Sequence, residues 1–248
     1  MKNRLEISRP VDGLVLMVID GEGKDNIADA GLAQALRTAC EEINFDTGIR
    51  VAIITGARGK AFCTGLTTVN KDDFYSLSEP VASLNCPVIA AINGDSSGAG
   101  MELALACDIR IASSNARFSL PYIGKGLIPS DGATQRLPRL VGGSRAIEFM
   151  LTGEMITTDE ACRIGLVSRV EPEAELMNYV MEMSKTMAGK ATMALKYCKE
   201  AVLKGLDMTL GQGLRLEGDL YFLLHTTEDR TEGITAFKEK RKPHFKGK

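Results

Sequence analysis

Residues 85–137, NCPVIAAINGDSSGAGMELALACDIRIASSNARFSLPYIGKGLIPSDGATQRL, decide how this chain is read. The apolar run Val88–Ile92 has the length and composition of a buried strand. Asn93–Gly100 then forms a turn-prone loop of small residues, and a helix follows in which one carboxylate, Glu102, stands among Met101, Leu103, Ala104, Leu105 and Ala106. A loop that admits close backbone approach, set at a helix N-terminus, suits negative charge, because free N–H groups and the positive end of the helix dipole meet there. The spacing alone fits a plain glycine-rich strand–helix turn equally well.

Outward from this segment, strand-like runs at Leu14–Ile19, Val51–Thr55 and Ile109–Ser113 alternate with helical patterns at 29–44 and 101–107. Such alternation argues for an α/β layout with crossover connections. Leu32, Leu36, Ala39, Cys40 and Ile43 recur at helical spacing, as the core face of a helix does. After Val170 the character changes. Residues 172–206 read as helix with a methionine stripe (Met177, Met181, Met187, Met193) best explained as packing, and 208–242 continue helically into a lysine-rich tail that composition alone explains as a solvated end.

The 248 residues suffice for one large domain with a sizeable core. A formal charge of −2 gives no reason to invoke nucleic acid as a partner. No apolar stretch approaches the ~20 residues that span a bilayer, and the polar start MKNRLEISRPVDG has no signal-peptide core, so the expectation is a cytoplasmic protein. Six scattered cysteines without CxxC spacing fit reduced thiols, and the two histidines, His225 and His244, lack partners at metal-ligand spacing, so no metal site is expected.

The run IAAINGDSSGAGMELALACDIRIAS, followed by ARFSLPYIGKGLIPSDGATQRLPRLVG, resembles the signature of the crotonase superfamily, the enoyl-CoA hydratase/isomerase family. GKAFCTGLT (59–67), LTGEMITTDEACRIGLVSRV (151–170) and DRTEGITAFKEKRKPHF (229–245) match further motifs in the family's order. The resemblance implies a β-β-α spiral core over residues 1–187 and a C-terminal helical trimerisation region over 188–248, assembled as homotrimers or as hexamers of stacked trimers. It implies an acyl-CoA substrate and no separate cofactor, because coenzyme A enters as the thioester. By motif position, the backbone N–H groups of Leu66 and Ala99 form an oxyanion hole for a thioester enolate, with Ala99 replacing the more usual glycine. Lys24, Phe237 and Lys240 fall where the resemblance implies coenzyme A contacts, the last two from the same or a neighbouring subunit.

Glu102 matches the first of the two catalytic glutamates of hydratases in this family; read without the resemblance, it is a first-turn glutamate favoured by the helix dipole. The second glutamate would follow Pro121, and Tyr122 stands there instead. A phenol is a poor base near neutral pH but donates a hydrogen bond. Asp131 is a candidate replacement, either as a second acid/base or as the N-cap of a helix at 133–141. The connection from Leu66 to Pro87 is short for the family, and its usual lysine slot holds Val69, with Lys71 two residues on. Trimming there would open the acyl pocket to wider or ring-shaped groups, or reflect ordinary loop variation. The expected activity is hydration of an α,β-unsaturated acyl-CoA, or its reverse. The alternatives are a specialised relative (alicyclic dienoyl-CoA hydratase, isomerase, decarboxylase or dehalogenase-like enzyme) and a catalytically silent acyl-CoA-binding protein.

Overall fold

The computed structural model describes residues 4–66 and 75–248, so Val69 and Lys71 lie outside the described residues. Strand β1 (Leu5–Ser8) pairs antiparallel with β2 (Leu14–Ile19), and α1 (Ala30–Phe45) follows. Asp29 starts α1 by accepting the Leu32 N–H at 2.8 Å, an N-cap at the foot of the apolar stripe expected for 29–44. Then come β3 (Val51–Gly56), α2 (Ser78–Ala82), β4 (Val88–Ile92), β5 (Ser96–Ser97), α3 (Ala99–Ala106), β6 (Ile109–Ser113) and β7 (Arg117–Ser119). The chain continues through α4 (Ala133–Val141), α5 (Gly143–Thr152), β8 (Ile156–Thr157), α6 (Thr158–Arg163), β9 (Arg169–Glu171) and α7 (Glu173–Ala188).

The main sheet runs β1-β2-β3-β4-β6-β9, parallel from β2 onward. Beside it runs a second row of very short pairings. Ile27 bridges Thr64, Cys63 bridges Ser96, β5 pairs with β7, and β7 with β8. Each turn of chain thus places one strand in the main sheet, one short pairing in the second row and then a helix, which is a β-β-α spiral. Both faces of the central strands β3 and β4 are buried, so these strands read as continuous apolar runs. Along β3, Ala52 and Ile54 face the core shared with α1, α2 and α3, whereas Val51 and Ile53 face Leu176 and Val180 of α7.

The helix expected over 172–206 is broken at 189–191, giving α7 and then α8 (Thr192–Gly205). Residues 208–242 divide into α9 (Leu210–Leu224) and α10 (Glu228–Lys238), the latter capped by Thr227. In α8 and α9 only Thr192 and Leu220 are fully buried. The C-terminal segment returns to the core, where the Phe245 carbonyl accepts from Arg50 and the Asp229 carboxylate accepts the N–H groups of Lys246 and Gly247. Among the described residues no helix is long and apolar enough to cross a membrane.

Candidate active site

Two loops of the second row meet at the N-terminus of α3. Gly98 adopts φ +57°, and a Cβ there would lie 2.0 Å from the Gly65 carbonyl oxygen. A Cβ on Gly100 would lie 1.8 Å from the Cys63 carbonyl oxygen. Both glycines are needed because the Cys63–Leu66 segment lies directly against the helix end. Ala99 between them keeps an ordinary backbone, since the only non-glycine residues with positive φ among those described are Asn26 and Lys240. The departure from glycine therefore leaves the loop shape intact.

The two expected oxyanion donors are thus on adjacent loops. The loops are joined by backbone bonds, Ser97 N–H to the Cys63 carbonyl at 3.2 Å and Ala99 N–H to the Gly65 carbonyl at 2.8 Å. The second bond means that a thioester oxygen reaching Ala99 must share its N–H with Gly65 or displace it.

Glu102 lies in the first turn of α3, every residue of which is buried. One carboxylate oxygen accepts from the Tyr122 hydroxyl, and the other from the backbone N–H groups of Asp131 (2.7 Å) and Ala133 (3.3 Å). Burial pushes the Glu102 carboxyl above its ordinary range; the Tyr122 hydroxyl and the two amides pull it back part of the way, and the nearby Asp131 charge adds to the rise. The result is a fixed carboxyl whose proton affinity is raised, as general acid–base work requires. Tyr122, 1% exposed, is therefore brought into direct contact with Glu102 across twenty residues of chain.

Asp131 departs from expectation. It does not cap the helix that follows it, because Gly132 (φ +104°) is the N-cap of α4, which has no side-chain cap. Its carboxylate instead accepts from Ser76 Oγ at 2.5 Å and from the N–H groups of Leu77 and Ser78 at 2.9 Å each, capping α2. Its backbone N–H donates to Glu102, while its carboxylate is held by residues 76–78. Three donors thus hold this carboxylate as a cap for α2. Asp131→Ala is expected to cost about 2–4 kcal/mol, because buried donors lose a charged acceptor. Asp131→Asn, which keeps one acceptor oxygen, should retain turnover within about tenfold, below the factor that general acid–base groups contribute. Urea unfolding and steady-state kinetics measure both; a hundredfold loss of turnover in folded Asp131→Asn would restore Asp131 to the chemistry.

The coenzyme A candidates are not gathered in the chain. Lys24 lies on the surface, its carbonyl accepting the Ala61 N–H, while Phe237 at the end of α10 is 85% exposed and Lys240 turns the chain with φ +55°. No hydrogen bond or ion pair among the described residues links Lys24 with either. No group of histidine, cysteine, aspartate or glutamate among the described residues has the arrangement of a metal site.

Sequence reasoning missed Asn26, Tyr75 and Ser76. Asn26 is buried at φ +53° and ties the Gly21 N–H and the carbonyls of Ile19, Ala61 and Phe62 together. An Asn before an apolar residue gives no local signal of that role, which depends on partners up to 36 residues away.

The family model described as enoyl-CoA hydratase/isomerase matches residues 11–248. Crotonyl-CoA hydratase of Syntrophomonas wolfei is 38% identical over 222 residues, covering 85% of each chain. The 2,3-dehydroadipyl-CoA hydratase of Escherichia coli is 38% identical over 245 residues, covering 95% of this chain and 96% of its own. Among solved structures, enoyl-CoA hydratase from Bacillus anthracis superposes with a TM-score of 0.93 at 36% identity, covering 99% of this chain and 100% of its own.

Proposed function

This chain belongs to the enoyl-CoA hydratase/isomerase family, and from that premise we propose that it is an enoyl-CoA hydratase working with a single carboxyl. The observation that carries this reading is Glu102, buried, fixed by the Tyr122 hydroxyl and two amides, and set one turn from the paired loops of Leu66 and Ala99.

In the forward direction water attacks the β-carbon and Glu102 takes its proton. The electron pair of the double bond moves onto the thioester oxygen, where the N–H groups of Leu66 and Ala99 stabilise it. Glu102 then gives the proton to the α-carbon and the enolate collapses to the 3-hydroxyacyl thioester. The net change is addition of one water, with no co-reactant beyond water and the thioester. Tyr122 holds Glu102 in place and moderates its basicity. The phenol takes the place of a second carboxylate, and this favours one further reading. A single carboxyl that moves a proton between carbons also suffices for double-bond isomerisation. Incubating linear and cyclic enoyl-CoAs with the protein separates the two by mass. Gain of one water supports hydration, unchanged mass with a shifted double bond supports isomerisation, and no reaction across the set overturns both.

Assembly is a second part of the proposal. Val202 on α8, Leu206 directly after it, and Leu210, Leu214 and Phe222 on α9 are between 58% and 79% exposed, too much apolar surface for helices facing water. We assign this face to contacts between copies in a homotrimer, or in a hexamer of two trimers. Lys24 of one copy would then combine with Phe237 and Lys240 of a neighbour to hold coenzyme A. Sedimentation at micromolar concentration is expected to give three or six chain masses; a stable monomer would remove this part. The six thiols, all unpaired, suit a reducing compartment, and we assign the protein to the cytoplasm.

A further inference from the structure

Tyr75 is bound to the backbone of the residue that carries the first oxyanion donor. Its phenol oxygen lies 2.9 Å from the Leu66 carbonyl oxygen and 3.0 Å from that of Ala28. We propose that Tyr75 is a positioning residue, which fixes the Leu66 amide for the thioester oxygen by holding the peptide on the other side of the same Cα. The inference rests on the reading of Leu66 as an oxyanion donor.

The direction of an N–H is set by the torsions on either side of it, so a donor is preorganised only when the chain is held both before and after it. Before Leu66 the hold is dense. Ala28 N–H donates to Thr64 at 2.9 Å, Ser97 N–H to Cys63 at 3.2 Å and Ala99 N–H to Gly65 at 2.8 Å. After Leu66, the bond from Tyr75 is the hold that the described residues supply. A hydroxyl has one proton, so the two carbonyls share it, and Tyr75 thereby also ties Leu66 to the chain entering α1. Burial pushes the phenol up to about 12, so this proton stays on through the neutral range.

The next three residues extend the argument. Ser76 Oγ and the N–H groups of Leu77 and Ser78 hold the Asp131 carboxylate, whose own N–H holds Glu102. Four consecutive residues, 75–78, therefore connect the donor loop to the acid–base carboxyl. Their combined effect is to fix the separation between the place where charge develops and the group that moves the proton. Misplacement of reacting groups by about 1 Å costs about a hundredfold in rate, so a device of this kind bears on turnover rather than on affinity.

The test is Tyr75→Phe, which removes one oxygen atom and leaves the ring. Turnover is expected to fall about ten- to a hundredfold with KM changed less than about threefold, the pattern of an interaction made in the transition state. The second readout is the absorption band of a conjugated dienoyl-CoA bound to the Glu102→Gln variant, in which the chromophore is not consumed. Polarisation of its carbonyl by the oxyanion donors moves the band to longer wavelength. That shift should be present with Tyr75 and largely lost when Tyr75→Phe is added. The wavelength comes only from bound, folded molecules, so partial loss of fold lowers the amplitude and leaves the position informative. Tyr75→Phe with full turnover and an unchanged band overturns the inference and leaves the oxyanion reading standing. A band that does not move even with Tyr75 present overturns the oxyanion reading, and the role of Tyr75 with it.

Discussion

Glu102→Gln is expected to lower turnover of the true enoyl-CoA by at least about a hundredfold, the lower bound for losing a general acid–base group, and to raise the thermal midpoint at neutral pH. The two effects have one cause. Glutamine cannot exchange the proton, so the water is not activated and the α-carbon is not protonated. Yet its carbonyl oxygen still accepts from Asp131 and Ala133, and its NH2 group donates to the Tyr122 oxygen, so the site is filled without charge. Because the folded carboxyl is raised above the ordinary 4.5, the folded protein keeps a proton that the unfolded chain has already released. The contribution of this carboxyl to stability is therefore greatest at low pH and declines as pH climbs from 4.5 to the raised folded value, by about 1.4 kcal/mol for each unit of elevation. Above that value the full penalty is present, and the glutamine variant lacks it. Melting curves of the two proteins should coincide in acid and separate toward neutral pH, with the variant more stable. Identical midpoints throughout, or full activity in the variant, would remove Glu102 from its role. Tyr122→Phe tests the other side of the pair. The hydroxyl lowers the Glu102 proton affinity, so its loss should move the acid limb of the rate profile to higher pH at a cost of about tenfold or less.

What the sequence disclosed depended on how local each cause was. The strands Leu14–Ile19 and Val88–Ile92 match their apolar runs because burial on both faces writes itself into composition. The second row did not show, since a pairing of two residues such as Ser96–Ser97 leaves no period to detect. Helix α3 starts at Ala99, two residues before its apolar run, because Gly98 at φ +57° sets the turn. The break at 189–191 was hidden because helix-compatible residues lie on both sides of it. In the site, the resemblance brought Glu102 and Tyr122 forward, and the structure puts them in contact. Asp131 could be singled out but not understood, for its carboxylate caps a helix more than fifty residues earlier in the chain. Tyr75 had no local mark at all: its two acceptors lie nine and forty-seven residues away.

Ala99→Pro is expected to abolish measurable turnover, with Ala99→Gly close to the unchanged protein. Proline removes the N–H and puts a ring carbon on the line to the Gly65 carbonyl oxygen, 2.8 Å from the nitrogen, so that carbonyl must move aside, although the first residue of a helix is where the ring is otherwise best accommodated. The permissive backbone of Gly98 precedes it, which limits the clash a proline imposes on its predecessor. The fold loses the bond from Ala99 to the Gly65 carbonyl, a stability cost of about 1 kcal/mol, and the displaced carbonyl adds a packing cost of about 1–3 kcal/mol. Turnover suffers twice. One oxyanion donor is gone, which alone costs about a hundred- to a thousandfold. The Gly65–Leu66 loop also loses the bond that seats it against α3, so the second donor is misdirected. Ala99→Gly keeps the N–H and both consequences vanish, leaving only the entropic cost of glycine, about 0.5–1 kcal/mol of stability. Comparing the two separates donor from shape. A proline variant that turns over near the original rate would show that the charge on the thioester oxygen is stabilised elsewhere. Equal losses in both variants would show that the methyl of Ala99, buried against its neighbours, matters more than its amide.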